Sequence, residues 1–430
     1  MKIKKSSAIA YVLLLMCSVT YFFVVVSNVE NVWTYLIELI MLVLTVILFN
    51  RDSLVSANVL FVIYYCYTVA LGPLFLLTEK IDYGYSYFSV ILGSLLAFLW
   101  GNATFSNKRF NRPIEDKGII RINLSRKSAL RILYAISFLA SIYFLIKNRS
   151  LILGGNLVAS RLDAISGSGA ILYISQLTIL IVPMMYDLYF YGKKNKIRTI
   201  SKEELISLAV LACGTLLFSG FRAPVMSMAI CLIVLIIQKN NIKNTHIIYM
   251  GALLVILVEI LGMTRNMMSG VVNKGFIATM QTSLIVNAIN LKYVFNTFPS
   301  RVPFQRGYTY LINLLMLMPG PDQDFTLWLK DQIGISFAGG GVTPTIMGEF
   351  YINFGIVGMY IGMFILGATG VYIYRYFKKH SNTFLGVFYV WQFAHCASGG
   401  IANVMITVIL YTIVYWGIMM CPIYKSKGNR

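Results

Sequence analysis

Stretches of eighteen or more predominantly apolar residues recur from the start of the chain to its end, and each is long enough to cross a bilayer as a helix. That recurrence limits the fold to an all-α, polytopic integral membrane protein, read as one membrane domain over residues 1–430. Composition agrees: 58% of residues are hydrophobic and 12% charged, with a mean hydropathy of +0.74, whereas a soluble chain carries about a quarter charged residues. The N-terminus reads MKIKK followed by about twenty apolar residues, too long for a signal-peptide core, with no small-residue cleavage site after it. Cys17 is a poor lipid-attachment site because Met16 before it is not small.

Twelve helices fit, near 8–27, 32–50, 54–77, 86–104, 129–146, 169–191, 205–219, 222–238, 247–264, 346–374, 383–399 and 402–421. The tenth is long, so its first turns are expected to lie in the interface or re-enter the membrane. With a cytoplasmic N-terminus, the inner segments hold 25 Lys and Arg and the outer ones 11, six of them in a single long loop. The positive-inside rule favours this orientation, with both termini cytoplasmic. The net charge of +20 is then mainly a topology signal, concentrated in the basic cytoplasmic loop 107–131, and not a nucleic-acid surface. All six cysteines fall in apolar spans without a CxxC or Cys/His cluster, so disulfides and zinc are not expected.

Residues 265–345 form one large outer loop. Loops of this length are usually functional or disordered. The composition of this one argues against disorder, because GFIATMQTSLIVNAINLKYVF and YTYLINLLMLM are apolar enough for interfacial or re-entrant helices.

Four outward-facing places carry candidate chemistry. In FSGFRAP, Arg222 sits at a turn before Pro224, beside an anion-favouring helix start, and reads as a phosphate clamp or as a snorkelling interfacial arginine. In GMTRNMMSG, Arg265, a second outward arginine that reads as a phosphate ligand or an interfacial anchor, ends a helix that also carries the intramembrane carboxylate of Glu259, a site candidate or a structural partner of an arginine. Residues 147–169 form an outer loop with Arg161 and Asp163, whose carboxylate is a proton acceptor or simply solvated. In GGGVTPTIMGEFYINFG, Thr343 and Pro344 read as an N-cap followed by the first helical residue. Gly340 and Gly341 can aim backbone N–H groups at an anion, or act as a hinge. Glu349 lies about 7–8 Å along that helix at 1.5 Å per residue, just below the outer surface, as a candidate proton acceptor. His395, near the outer end of the eleventh helix, is a base or a packing residue. Gly358 and Gly362 form a GxxxG suited to close helix packing. The D-x-D of PDQD at 321–324 faces outward, and no metal is expected there.

These pieces, in this order, resemble the Wzy-type polymerases of bacterial surface polysaccharides. The likeness lies in the SGFRA turn, the Arg-ended helix of MTRNMM, the large outer loop and GGGVTPTIMGEFYINFGIVG, and covers most of residues 140–400. It implies an undecaprenyl-pyrophosphate-linked oligosaccharide as substrate and a polyprenyl-dependent, GT-C-like glycosyltransferase architecture in the bacterial cytoplasmic (inner) membrane. The growing glycan would move from undecaprenyl pyrophosphate to the terminal sugar of another lipid-linked repeat unit, at the outer leaflet. The resemblance further implies inverting transfer without a cofactor or obligatory metal, membrane lipid as a partner and, by analogy, a chain-length regulator protein. Arg222 and Arg265 would hold the pyrophosphate. Glu349 is the first choice of base, Asp163 the second and His395 the third; the family carries Glu or Ser at the Glu349 position. Competing readings are a lipid-linked oligosaccharide flippase, for which related halves are expected and no internal repeat is visible, and an O-antigen ligase.

Overall fold

The computed structural model describes residues 5–27, 31–50, 55–76, 86–106, 124–149, 169–197, 199–218, 222–240, 275–315, 325–336, 340–379 and 383–423, with isolated residues between 246 and 263. Among the described residues every regular element is helical: α1 (Lys5–Ser27), α2 (Val32–Phe49), α3 (Ala57–Tyr65) running through a π-turn (Cys66–Ala70) into α4 (Gly72–Leu76), α5 (Ser86–Ser106) and α6 (Arg126–Lys147). Next come α7 (Gly169–Ser175), α8 (Thr178–Asn195), α9 (Lys202–Phe218), α10 (Arg222–Asn240), α11 (Gly275–Thr297), α12 (Tyr308–Leu315), α13 (Phe325–Ile333), α14 (Thr345–Lys379) and α15 (Thr383–Met419). Nine described helices are long and apolar enough to cross a membrane, as expected of a multi-pass membrane protein. α9, at 17 residues, falls just short of that length, and the described residues between 246 and 263 are helical as well.

Small polar residues start several of these apolar helices by satisfying amide groups that have no partner in the first turn. Asn31 and Thr34 form a reciprocal capping box on α2, Ser56 caps α3, and Ser125 caps α6. Beyond the caps, burial decides the packing. One core joins α1, α2, α3, α5 and α14, around Leu42, Phe61, Phe98 and Met363. A second joins α6, α8, α9, α10 and α15, around Leu180, Cys231, Phe388 and Tyr411. A third and smaller core gathers the elements between 275 and 342 against α14 and α15. It joins Val294 and Phe298 near the end of α11 to Ile312, Phe325 and Leu329, and then to Val342, Ile352 and Ala402. The two apolar segments expected to be helical there are α11 and, over its described residues, α12.

α5 and α14 run parallel at backbone contact. A Cβ on Gly101 would lie 1.9 Å from the Phe364 carbonyl oxygen, and one on Gly367 would lie 2.0 Å from the Phe98 carbonyl oxygen. Without a hydrophobic drive between helices in lipid, such small-residue seams allow close packing. At the far end of the same pair, Arg375 Nη1 donates to the Phe105 carbonyl at 3.2 Å. Gly101→Leu is therefore expected to cost about 3 kcal/mol or more through overpacking, read as a lowered unfolding temperature in detergent.

The two longest elements are not straight rods. α15 spans 37 residues with a break at Gly400 (φ 81°, ψ 175°), a conformation that favours glycine. Tyr389 and Thr412 share a hydroxyl hydrogen bond of 2.6 Å, and the rings of Phe388 and Tyr411 lie 5.7 Å apart. In an unbroken helix residues 23 apart stand about 35 Å apart. The chain therefore reverses at Gly400, and 383–399 and 401–419 form an antiparallel hairpin, matching the separation of the eleventh and twelfth segments in the sequence. α14 breaks at Gly355 (φ 68°, ψ −166°). Here the Phe350 ring stands 2.7 Å from where a Gly362 Cβ would be, so residues 345–354 fold back along the arm that follows. The GxxxG of Gly358 and Gly362 makes room for Phe354 and Phe350 of its own element.

Candidate functional site

The folded-back arm of α14 carries the opening glycine-rich stretch into the interior. Met347 Sδ receives the Tyr65 hydroxyl at 3.1 Å, and Ser94 of α5 lies beside it. Ile346 and Met347 are fully buried. The stretch thus sits inside the bundle and not at its rim. The expected cap is corrected by two residues: α14 begins at Thr345, whose Oγ1 accepts from Gly348 N at 3.3 Å. Thr343 instead donates its hydroxyl to Asn287 Oδ1 at 3.0 Å, and its carbonyl accepts from Asn290 Nδ2 at 3.3 Å. Gly341 passes against α13, where a Cβ would lie 1.9 Å from Thr326 Oγ1; next to it Val342 N donates to the Thr326 carbonyl at 2.9 Å. Gly340 is half-buried at the start of the same segment.

Glu349 lies one turn further along and is fully buried. Its carboxylate accepts from two successive backbone amides, Ile401 N and, at 3.1 Å, Ala402 N. These are the first amides of the second arm of α15, which have no partner of their own after the break at Gly400. Glu349 is therefore an N-cap supplied from another element, with its negative charge at the positive end of a helix. A Cβ on Gly400 would lie 2.3 Å from Glu349 Oε2, so the turn needs glycine for space as well as for backbone angle.

A set of amide side chains surrounds this contact. Asn353 donates to Thr309 Oγ1 at 2.6 Å and to the Glu349 carbonyl at 2.9 Å, while its Oδ1 accepts from Gly307 N at 2.8 Å. Asn313 of α12 donates to the Ala402 carbonyl at 2.8 Å and accepts from Phe325 N at 2.7 Å. Asn403 donates to the Gly399 carbonyl at 2.6 Å. The end of the α14 arm is closed by Gln305 N and Arg306 N, which donate to the Ile352 and Asn353 carbonyls at 2.9 and 3.0 Å. Two broken helices and the loop helices α12 and α13 thus meet around one buried carboxylate. Each carboxylate oxygen keeps a further lone pair, so Glu349 can accept another hydrogen bond while it caps the hairpin.

The other expected residues fall as follows. Asp163 and Arg265 lie outside the described residues, as do Arg161 and the D-x-D at 322–324. Arg222 is the first residue of α10, and its side chain lies outside the described residues. α10 ends beside α8 through Lys239 Nζ and Asp187 Oδ1 at 2.7 Å, and Trp391 of the first α15 arm donates to Ser227 at 3.0 Å. The start of α10 therefore points toward the end of the bundle that holds Gly400. His395 is half-buried in an aromatic cluster, with its ring stacked on Trp391 at 5.6 Å and tilted against Tyr64 at 6.1 Å.

Two further carboxylates are buried in the bundle. Glu259 accepts from the Tyr67 hydroxyl, on the π-turn, and from Ser283 Oγ at 3.3 Å. Arg265, which ends the same segment and was weighed as its partner from sequence, lies outside the described residues. Glu38 of α2 was not singled out from sequence. It is 5% exposed, lines a small cavity with Tyr21, Thr34 and Phe88, and its Oε1 has no hydrogen-bond partner among the described residues. The signal was present, since Glu38 is the single charge in the eighteen residues of α2. All six cysteines are free thiols.

Over 223 residues, 52% of this chain, the sequence is 24% identical to a protein of Methanocaldococcus jannaschii described as uncharacterized. The match spans 59% of that relative's length. No protein-family profile and no solved structure matches the chain.

Proposed function

We propose that this protein is a membrane glycosyltransferase that polymerises a surface polysaccharide, with its site at the outer face of a bacterial cytoplasmic membrane. The observation that carries the reading is the meeting of two glycine-broken helices at the buried Glu349, beside the third core. In this reading the headgroup of a lipid-linked glycan is held at this meeting of helices while its tail stays in lipid. Separate counting of the two arms of α15, together with α9 and the helical residues near 246–263, agrees with twelve crossings, and an even number keeps both termini on one side, the cytoplasmic one by the positive-inside rule.

In the proposed reaction the hydroxyl oxygen of the acceptor sugar attacks the anomeric carbon of the donor. The bond from that carbon to the pyrophosphate oxygen breaks, and its electron pair leaves with undecaprenyl pyrophosphate. Glu349 takes the hydroxyl proton, with Asp163 and His395 as the alternatives. Arg222 at the start of α10, and Arg265, stabilise the charge that develops on the leaving group. Purified protein given a synthetic lipid-linked repeat unit is expected to produce a size ladder and release undecaprenyl pyrophosphate; neither product would appear if the reading were wrong.

Glu349→Gln separates the two roles given to this residue. The amide NH2 would face one of two backbone donors, leaving a buried N–H unpaired at a cost of about 1–3 kcal/mol. Polymerisation is expected to fall at least tenfold in protein that still inserts and folds. Near-normal ladders from this variant would remove Glu349 as the base and leave it as a cap.

The flippase reading gains one specific observation. Discontinuous helices whose half-helix starts meet at mid-membrane polar groups are also how secondary transporters bind substrates, and Glu38, Glu259 and Glu349 are all buried. A transporter would move the lipid-linked unit between leaflets of a proteoliposome without lengthening it.

A further inference from the structure

The opposite end of the bundle holds a cavity of about 430 Å³ between the start of α6, the end of α8 and the turn into α9. Lys127, Arg131, Lys193 and Lys196 line it against one carboxylate, Glu204. Two of the four cations are already engaged. Arg131 pairs with Glu204 at 2.6 Å, and Lys127 donates to the Thr199 carbonyl. Lys193 and Lys196 are exposed and face the same space. Lys196 ends α8 in the left-handed region (φ 55°), which turns the chain back along the cavity wall. Just below these cations the outer surface becomes apolar: Ile132 and Ile136 on α6, and Ile206 and Val210 on α9, are each 46% exposed or more.

We propose that this cavity binds the phosphate headgroup of an anionic phospholipid from the leaflet that meets the basic end of the bundle. The chemistry it recognises is a phosphodiester whose headgroup carries no cation of its own, so that the net charge stays negative. Two lysines lie beside an ion pair, in a recess of the size that takes small ligands, and basic pockets between membrane helices suit such headgroups. The exposed isoleucines and valine separate a lipid from a soluble phosphate, since an acyl chain hanging from the headgroup would lie along them. This site is independent of the polymerase reading and lies at the other end of the molecule.

The test is native mass spectrometry of the purified protein in detergent with phosphatidylglycerol or phosphatidylcholine added. The wild-type chain is expected to retain phosphatidylglycerol preferentially. Lys193→Gln with Lys196→Gln should weaken that retention about thirtyfold, from the loss of two headgroup cations. Lys193→Arg with Lys196→Arg should preserve it. Unfolding temperatures in lipid-free detergent check that each variant is folded. Equal retention by wild type and the glutamine variant, or no preference between the two lipids, overturns the proposal. Displacement of phosphatidylglycerol by an equal concentration of inorganic phosphate would show a soluble-anion site and overturn the lipid assignment.

Discussion

Arg222→Ala and Arg265→Ala are each expected to reduce polymerisation about a hundredfold or more, leaving single repeat units and very short chains. The magnitude follows from what a departing pyrophosphate requires. Its charge grows as the glycosidic bond breaks, and removing one preorganised donor to such a charge costs about a hundred- to thousandfold in rate. Arg222 starts α10, so in the proposed clamp its guanidinium would act together with the positive end of a helix. Arg222→Lys should recover only part of the activity, because an ammonium cannot pair bidentately with a phosphate. The measurement is undecaprenyl pyrophosphate released per minute from a synthetic repeat unit, with the amount of protein in the membrane checked by immunoblot. Ladders of normal length at the normal rate from both alanine variants would defeat the clamp.

Gly400→Ala is expected to be among the most destabilising single changes in the chain, at about 3–5 kcal/mol. Two separate costs add. An alanine held at φ 81° carries backbone strain of about 1–3 kcal/mol. Its methyl group would also sit 2.3 Å from Glu349 Oε2, and overpacking of this kind costs about 1–3 kcal/mol. A double-mutant cycle with Glu349→Ala tells the two apart. Removing the carboxylate relieves the clash but not the backbone strain, so the combined loss should fall short of the sum by about 1 kcal/mol or more. Strict additivity in unfolding free energy would mean that Gly400 and Glu349 do not share one contact.

Much of the fold was legible because membrane helices announce themselves by local hydropathy. The break between 383–399 and 402–421 was placed from sequence, and the structure turns the chain between those two segments, at Gly400. The length of the tenth segment pointed to first turns that lie in the interface or re-enter the membrane, and residues 345–354 fold back on the arm that follows. The depth of the glycine-rich stretch was not legible. It is set by Met347 reaching Tyr65 and Ser94, contacts between segments more than 250 residues apart that leave no periodic trace. The same holds for Glu349. Its partners are backbone amides 52 and 53 residues away, and any residue type supplies an amide. The cap at Thr345 in place of Thr343 turned on a single residue's backbone angle, φ 64°, where sequence offered two threonines flanking one proline. Glu38 was legible as a lone charge in an apolar run, but its unpaired oxygen and the cavity beside it required coordinates.

A reversal made by one glycine has a consequence for how the protein is assembled. Gly400 is buried and its neighbours are tied to Glu349, Asn313 and Asn403, so there is no hydrophilic connector to be passed across the lipid during synthesis. The last two segments can leave the insertion machinery as a closed pair, already zipped from Tyr389 to Thr412, and wait for the carboxylate of the preceding element to lock the bend.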